Sequence, residues 1–398
     1  MTLESKKLRN RRRLVGASAV AAAVAAAGLA TGGAASAATT AVPALTGLTY
    51  TSPGLGGGLR LPVGVSARNG TVYVSNTSAN ELATVANGST TVIAGSLSAF
   101  GEHGDGGPAA SASLYIPGGT AEDANGDVFL ADSGDNTVRE ITTAGTIRLV
   151  AGTGKAGLGK GGNATRSALD HPEAVAVDAQ GDLYIADTFN NRVVKVTPTG
   201  KMTAVAGTGT AGYSGDGSRA TSARLSEPAG VALDAKGNLY IADASNNVIR
   251  RVDATTADIT TVAGNFAADK ATDGLGGFAG DGGPATSARL NDPQGVAVDG
   301  AGDLFIADTF NNAVREVTPA GVISTVVNAA PAAGGTPPAG SEANGAPTAS
   351  KLNTPYGISI DQATSTLYVA DTHNSKIAQV TGLAQPGTAA GPTAPAHS

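Results

Sequence analysis

The sequence predicts an all-β fold built from six copies of one antiparallel unit. Each copy opens with a proline, continues through a short apolar run, and then gives a close relative of the pentapeptide LYIAD, an Asn-containing turn and a Val-rich run. A repeat of this length indicates one supersecondary unit that buries its apolar surface only by stacking on its neighbours. Four strands per copy and six copies predict a six-bladed β-propeller of four-stranded antiparallel blades, because radial closure protects the sheet edges. The copies begin near Pro62, Pro117, Pro172, Pro228, Pro293 and Pro355.

The third copy shows how one unit divides into strands. Residues 174–178 alternate small and β-branched side chains up to Asp178, 183–187 read LYIAD, and the runs 192–196 and 201–207 follow. Turns rich in Gly, Asn and Pro separate the runs, which is typical of hairpins. A parallel β-helix is the rival fold, but its coils are shorter and do not need three hairpin turns per unit.

The two ends of the repeat array are complementary. The sixth copy stops after its third strand, while the segment 44–52 precedes the first proline and has the pattern of a lone strand. We expect this N-terminal strand to complete the last blade and so to close the ring without a disulfide, since the chain has no cysteine.

The chain divides into three parts by composition. Residues 1–37 combine a basic start, an apolar stretch and the small residues Ala35, Ser36 and Ala37, which is the pattern of an export signal peptide. The adjacent arginines at 11–13 fit twin-arginine export, and the ordinary secretory route stays open. We expect the propeller to occupy 38–382 and a disordered Pro/Ala/Gly tail to occupy 383–398.

The charge balance bears on the partners. Without residues 1–37, 20 basic side chains face 31 acidic ones. Such an acidic protein is a poor partner for a phosphate backbone, so we expect no nucleic acid. No second apolar stretch is long enough to span a bilayer. We therefore expect a secreted, extracellular monomer without membrane insertion, whose partner is an extracellular protein, a peptide or a cell-surface glycan.

The repeated residues resemble a known family. The pattern P-x-G-V-A-V-D-x-x-G-[ND]-[LI]-Y-[IV]-A-D-x-x-N-[NS] resembles the NHL repeat, and the linking phrase S-G-D-G-G-P-A-x-x-A-x-L resembles its bacterial, teneurin-like branch. The resemblance covers about residues 60–382. The first copy departs from the pattern, because it has Asn76 in place of the last Asp of LYIAD and Arg68 in place of an earlier Asp. The resemblance implies a binding module, although related lyase propellers use histidines at one face.

One face of the predicted propeller collects the candidate site residues. Chain direction places every proline, every D-x-x-N turn and every long linker between blades on the same face, which we call face one. Long loops are often functional. Three linkers carry a G-D-G element, with Asp105, Asp216 and Asp281 at its centre. These carboxylates could bind calcium, but a repeated residue is better explained by a repeated turn in which Asp accepts backbone N–H groups.

Residues that differ between copies are better candidates for a ligand site. The residue after each proline should stand near the mouth of the central channel, and Glu173, Gln294 and Tyr356 give that ring polar and aromatic character. These three are our predicted ligand-binding residues. The alternative is that they are ordinary exposed loop positions.

An enzymatic alternative depends on histidine. His103, His171 and His373 all fall on face one, and three histidines are the minimum for a catalytic zinc. With Glu173 they could form a metal-dependent lyase or hydrolase at the channel mouth, in which His171, Glu173 and His373 would be catalytic. No other catalytic motif is present. The sequence therefore predicts a binding scaffold without a cofactor, with the metal enzyme as its alternative.

Overall fold

The computed structural model describes residues 47–51, 59–86, 89–98, 101, 103–271, 276–328, 339–340 and 346–383. All of these belong to one compact unit. The predicted export signal and nearly all of the predicted tail lie outside the described residues. Among the described residues, no helix is long and apolar enough to cross a bilayer.

Six antiparallel sheets form the six predicted blades, which confirms the fold class. The first three blades contain β2 (Pro62–Arg68), β3 (Thr71–Asn76), β4 (Glu81–Ala86) and β5 (Ser89–Gly95); β6 (Pro117–Glu122), β7 (Val128–Asp132), β8 (Thr137–Ile141) and β9 (Ile147–Gly152); and β11 (Pro172–Val177), β12 (Leu183–Asp187), β13 (Arg192–Val196) and β14 (Lys201–Ala206). The last three contain β16 (Pro228–Leu233), β17 (Leu239–Asp243), β18 (Val248–Val252) and β19 (Asp258–Ala263); β20 (Gly295–Val298), β21 (Leu304–Asp308), β22 (Ala313–Val317) and β23 (Ile323–Val327); and β24 (Pro355–Asp361), β25 (Thr366–Asp371), β26 (Lys376–Thr381) and β1 (Gly47–Thr51).

Short elements supplement the blades. The two-residue strands β10 (Gly162–Asn163) and β15 (Ser218–Arg219) add a fifth strand to the outer edges of blades 3 and 4. A six-residue helix, α1 (Phe266–Ala271), lies in the linker before blade 5. One-turn 3-10 helices follow each second strand and also occur in the linkers, at Thr77–Ala79, Ser133–Asp135, Thr188–Asn190, Ala244–Asn246, Thr309–Asn311, Thr372–Asn374, Ala109–Ser111, Ala164–Arg166, Ala220–Ser222, Ala285–Ser287 and Pro347–Ala349.

The ring closes between the last blade and the first. The N-terminal strand β1 pairs antiparallel with β26, with Thr49 opposite Gln379, so that it becomes the outermost strand of blade 6. The innermost strands β2, β6, β11, β16, β20 and β24 each contact the innermost strands of both neighbouring blades, including β24 with β2. The N-terminal strand therefore completes the sixth blade, as the sequence predicts.

The apolar core is distributed between neighbouring blades. Ile185 of blade 3 is fully buried in a cluster with Ala131 of blade 2, and Ile306 of blade 5 is fully buried in a cluster with Ala242 of blade 4. Burying a side chain of this size stabilises the fold by about 1.5–3 kcal/mol. Alternation along each strand sends one apolar set to each neighbouring blade, which explains why a single copy cannot fold alone.

The long linkers follow the outer strands of the blades. The backbone N–H of Gly106 donates to the carbonyl of Ile147 at 2.8 Å, and the equivalent Gly282 donates to Ile323 at 2.8 Å. These residues of the two linkers therefore protect an outer sheet edge. That the long linkers are functional loops on face one stays a prediction.

Candidate binding face

Strand register defines face one in the structure. Pro172, at the start of β11, stands opposite Asp187, at the end of β12, and Asp187 in turn stands opposite Arg192, the first residue of β13. The prolines and the D-x-x-N turns therefore share one end of the blades. The hairpin turns at 178–182 and 197–200 lie at the other end, which we call face two.

A hydroxyl in five of the six turns that follow the second strands connects one blade to the next. The Oγ1 of Thr188, directly after Asp187, donates to the carbonyl of Pro228 in blade 4 at 2.8 Å. The Oγ1 of Thr372 donates to Pro62 at 2.7 Å across the closure between blades 6 and 1. Thr77, Ser133 and Thr309 make the same bond at their junctions. At the remaining junction Ala244 replaces the hydroxyl residue.

A second set of bonds, from an Asn side chain of the preceding blade, fixes the residue before five of the six prolines. The residues before all six prolines have left-handed backbones, with φ between 47° and 55°. The N–H of His171 donates to Asn136 Oδ1 at 3.0 Å, and that of Thr354 donates to Asn312 Oδ1 at 3.0 Å. A non-glycine residue with positive φ before proline is uncommon, so this geometry depends on the hydrogen bond from the neighbouring blade.

Glycines allow the innermost strands to approach one another closely. A Cβ on Gly295 would lie 2.4 Å from the carbonyl oxygen of Tyr356, and one on Gly230 would lie 2.5 Å from that of Gln294. A Cβ on Gly118 would likewise lie 2.7 Å from the carbonyl oxygen of Glu173. The backbones of the residues after the prolines therefore pack between the innermost strands of neighbouring blades, and we call Val63, Gly118, Glu173, Ala229, Gln294 and Tyr356 the inner ring.

His171 and Glu173 lie together at the start of blade 3. The imidazole stacks on Phe189, with ring centroids 4.8 Å apart and planes 12° apart. Its Nε2 is 3.7 Å from Glu173 Oε1, which is longer than a hydrogen bond. Burial lowers the pKa of His171 to about 4, and a hydrogen bond to the Ser133 carbonyl offsets this only in part. The imidazole is therefore neutral at neutral pH.

The three predicted ligand-binding residues occupy different blades. Glu173 is half-buried in blade 3, and Gln294 and Tyr356 are half-buried in blades 5 and 6. The structure places all three at equivalent positions of the inner ring, with their side chains partly accessible. Because Glu173, Gln294 and Tyr356 belong to three different blades, they would contact one ligand from separate sides of the ring.

The histidines are not gathered into a metal site. The His103 side chain is exposed, and the residue serves through its backbone carbonyl, which accepts from Arg139 Nη2 at 3.2 Å. His373 is half-buried, and burial lowers its pKa. Among the described residues, no group of three or more His, Asp or Glu side chains could hold a metal ion. Of the residues in the catalytic alternative, His171 and Glu173 lie close together.

The G-D-G aspartates have a partner that the sequence reading missed. Asp216 Oδ1 accepts from Arg250 Nη2 at 2.7 Å, and Asp281 Oδ1 accepts from Arg315 Nη2 at 2.6 Å. Arg139 makes the same pair with Asp105 at 2.9 Å. These arginines are fully buried and also face the last Asp of the LYIAD motif, with Arg250 Nη1 3.3 Å from Asp243 Oδ2. The expected bonds to backbone N–H groups are therefore replaced by ion pairs with arginine.

A signal for these pairs was present in the sequence. Blades 2, 4 and 5 follow a G-D-G linker and carry arginine seven residues after the motif Asp, at Arg139, Arg250 and Arg315. Blade 3 follows a linker without G-D-G and has Val194 at that position. The two features occur together within one chain because the fully buried arginine requires an anionic partner, which the partly exposed G-D-G aspartate supplies.

Comparisons with known proteins agree with this architecture. The model of the teneurin NHL domain matches residues 208–273 and 269–381, and the NHL repeat model matches 169–196. NHL repeat-containing protein 2 of Bos taurus is 32% identical over 146 residues, covering 33% of this chain and 20% of that protein. Teneurin-1 of Mus musculus is 26% identical over 232 residues, covering 54% of this chain and 8% of that protein. The chain thus spans a small part of the curated relatives it matches.

A solved structure of a protein of unknown function from Bacteroides thetaiotaomicron VPI-5482 superposes with a TM-score of 0.60 at 18% identity, covering 84% of this chain and 76% of that one. At this identity the likeness concerns the fold alone. The closed ring and its inter-blade bonds define a six-bladed β-propeller. Within that class, the matched repeats identify the chain as an NHL repeat protein.

Proposed function

We propose that this NHL propeller is a secreted binding scaffold, and that its ligand docks on face one at the mouth of the central channel. The observation that carries the proposal is the contrast within the inner ring. Its backbone is repeated and fixed by bonds between blades, whereas its side chains differ at every blade. A rigid frame that presents unlike side chains is suited to recognition, because little conformational entropy is lost on binding.

The chemistry of the ring favours a polar ligand with an apolar part. Glu173 supplies a carboxylate, the stacked rings of His171 and Phe189 supply a flat surface, and Gln294 and Tyr356 supply further polar groups. We therefore expect a segment of an extracellular protein, a peptide or a cell-surface glycan, approaching outside the cell. Charge does not favour nucleic acid.

The protonation of His171 favours binding over acid–base catalysis. A general base is most effective when its pKa lies near the working pH. Because burial lowers the pKa of His171 to about 4, its neutral ring is a weak base and a good hydrogen-bonding and stacking surface. The metal-dependent lyase or hydrolase remains the alternative, which metal analysis of protein purified without chelator tests.

The test is a binding screen on defined peptide and glycan arrays. The wild-type protein is compared with a variant carrying Glu173→Ala, Gln294→Ala and Tyr356→Ala. Gln180→Ala with Lys236→Ala is the matched control, because both residues are exposed in face-two turns. We expect a set of array members that bind the wild type and the control but lose at least tenfold in affinity with the face-one variant. Equal binding by all three proteins, or none by the wild type, would contradict the proposal.

A further inference from the structure

The blades differ in charge at a repeated position near face two. In each blade an aromatic residue on the second strand stands opposite one residue of the third strand. Tyr184 stands opposite Lys195 in blade 3, and Tyr240 stands opposite Arg251 in blade 4. In blade 5 the pair is Phe305 and Glu316, so an acid replaces a base.

In blade 3 this position on the third strand holds a lysine, which contacts both a carboxylate and an aromatic ring. The Nζ of Lys195 is 2.6 Å from Asp182 Oδ2 and 5.8 Å from the centre of the Tyr184 ring. Asp178, in the same hairpin turn, accepts the N–H groups of Gln180 and Asp182. Carboxylate oxygens beside an aromatic ring form a favourable site for an ammonium group.

Blade 5 keeps the acceptors of this site but lacks its lysine. Asp303 and Asp299 occupy the positions of Asp182 and Asp178, and Glu316 takes the place of Lys195. We call Asp299, Asp303 and Glu316 the blade 5 carboxylate cluster. Asp299 and Glu316 are each only 6% exposed. Asp299 Oδ1 accepts from Ala301 and Asp303, but Asp299 Oδ2 and Glu316 Oε2 have no hydrogen-bond partner among the described residues.

The neighbouring strands do not supply a compensating cation. In blade 2 the equivalent Glu140 is paired at 2.7 Å with Arg148 on the adjacent strand. The residue that stands opposite Glu316 in blade 5 is Ser324. From blade 6, the neutral amide of Gln362 reaches the Val298 carbonyl. Burying a carboxylate without a partner costs several kcal/mol, so a cluster built in this way favours a positive charge from outside.

The raised pKa values of Glu316 and Asp303 also indicate that negative charge is unfavourable in this cluster. Burial, together with the charges of Asp303 and Asp299, raises the pKa of Glu316 to about 7. Burial and the charge of Asp299 raise the pKa of Asp303 to about 6. The charged forms of Glu316 and Asp303 are therefore destabilised by burial and by neighbouring carboxylates, and a bound cation would relieve that repulsion.

We propose that the blade 5 carboxylate cluster binds the primary ammonium group of a ligand, in the place that Lys195 fills in blade 3. An ammonium carries three N–H donors, which match three carboxylates. The described residues contain no group of three acidic or histidine side chains arranged to hold a metal ion directly. Hydrogen bonds from an ammonium tolerate wider spacing, so this cation fits the cluster better. The site lies at face two and is independent of the function proposed for face one.

The test measures thermal unfolding at about pH 8, where the cluster is most fully ionised. The probe is n-propylammonium chloride, compared with NaCl at equal ionic strength. Ser324→Arg supplies an internal cation in the manner of Arg148, and Ser324→Gln is its uncharged control of similar length. We expect propylammonium to raise the unfolding midpoint of the wild type and of Ser324→Gln by about 2 °C more than NaCl does.

The Ser324→Arg variant should unfold at a higher midpoint in NaCl and should lose the additional effect of propylammonium. In the wild type that effect should shrink at about pH 5, where Glu316 is protonated. Equal shifts in the two salts, an undiminished ammonium effect in Ser324→Arg, or a larger effect of CaCl2 at equal ionic strength would overturn the proposal. Equal midpoint shifts in propylammonium chloride and NaCl would mean that the cluster is neutralised by protonation and does not bind an ammonium group.

Discussion

Buried arginines are the most demanding single residues of this propeller. Arg250 is fully buried, donates to Asp216 at 2.7 Å and to the Ser214 carbonyl at 3.1 Å, and lies 4.8 Å from the Tyr213 ring. Arg315 has the equivalent set of contacts with Asp281 and the Phe278 ring. A charge removed from water is tolerated only when its partners are all present. These residues therefore specify how a linker joins its blade.

Replacing one of these arginines should be costly. Arg315→Met leaves Asp308 buried without its 3.2 Å cationic partner, and we expect the free energy of unfolding to fall by about 3–5 kcal/mol in chemical denaturation. The control is Arg219→Met, since Arg219 is an exposed arginine on the outer edge of blade 4. If both variants lost the same small amount of unfolding free energy, the buried Arg–Asp pairs would not be important for the stability of the fold.

Glu316 should make stability depend on pH. Its folded pKa of about 7 lies above the value of about 4.3 expected in the unfolded chain, so the folded state binds more protons between these values. The free energy of unfolding should therefore fall as pH rises from about 4 to 7 and stay low above that.

Glu316→Gln removes this titration while keeping the shape of the side chain. We expect the variant to be more stable than the wild type by about 2 kcal/mol at pH 8 and similar to it at pH 5, by denaturant unfolding at both pH values. A variant less stable than the wild type at pH 8 would show that the ionised Glu316 is well compensated.

At the scale of the element, junctions between blades depend on the D-x-x-N turns. Five of the six turns carry a hydroxyl that donates to the next proline carbonyl, and Ala244 is the exception. At that same junction β20 begins at Gly295, two residues beyond Pro293, whereas every other innermost strand begins at its proline. The missing hydroxyl and the shortened strand occur together, so the junction of blades 4 and 5 lacks the hydroxyl bond that the other five junctions share.

Restoring the hydroxyl should strengthen this junction. Ala244→Thr should donate to Pro293 and raise the free energy of unfolding by about 1 kcal/mol, measured by chemical denaturation. Ala244→Val has nearly the same shape without the donor and serves as control. If Ala244→Val raised the free energy of unfolding as much as Ala244→Thr, the effect would come from packing, and the hydrogen-bond explanation would be contradicted.

The strands and turns were predictable because their signals are local. LYIAD at 183–187 is a short, mostly apolar run bounded by turn residues, which is typical of a buried strand, and Gly181 permits the turn before it. The role of Asp216 was harder to predict: G-D-G linkers occur together with Arg250 and its equivalents in the sequence, but the two residues are 34 positions apart and only the folded blade shows that they pair. Likewise, sequence order identified the inner ring, but the stacking of His171 on Phe189 and the lowered pKa depend on burial. Local sequence patterns therefore predict the strands and turns, whereas the ion pairs and the protonation state of His171 depend on tertiary contacts.

At the scale of the whole molecule, the ring is closed by the first strand rather than by a covalent bond. β1 covers the outer edge of β26, and Thr372 bonds to Pro62 at the inner end of the same junction. An uncovered β26 would offer a strand edge for pairing with another chain. We therefore expect the N-terminal strand β1 to matter for solubility as well as for stability.

Deleting residues 38–51 should expose that edge. We expect a lower midpoint of thermal unfolding and association that grows with protein concentration in light scattering, because β26 would lack a partner. Deletion of residues 384–398 is the control for shortening the chain. A monomeric 38–51 deletion with an unchanged midpoint would show that the first strand is dispensable for closure.

The central claim is that the repeated residues hold the frame and the inner ring of face one binds the ligand. Hydrogen exchange of the protein with and without a ligand identified on the arrays tests it most directly. We expect added protection in the segments that contain Glu173, Gln294 and Tyr356, together with the adjoining D-x-x-N turns, and unchanged exchange in the face-two hairpins. Protection confined to face two or to the outer strands would contradict the account.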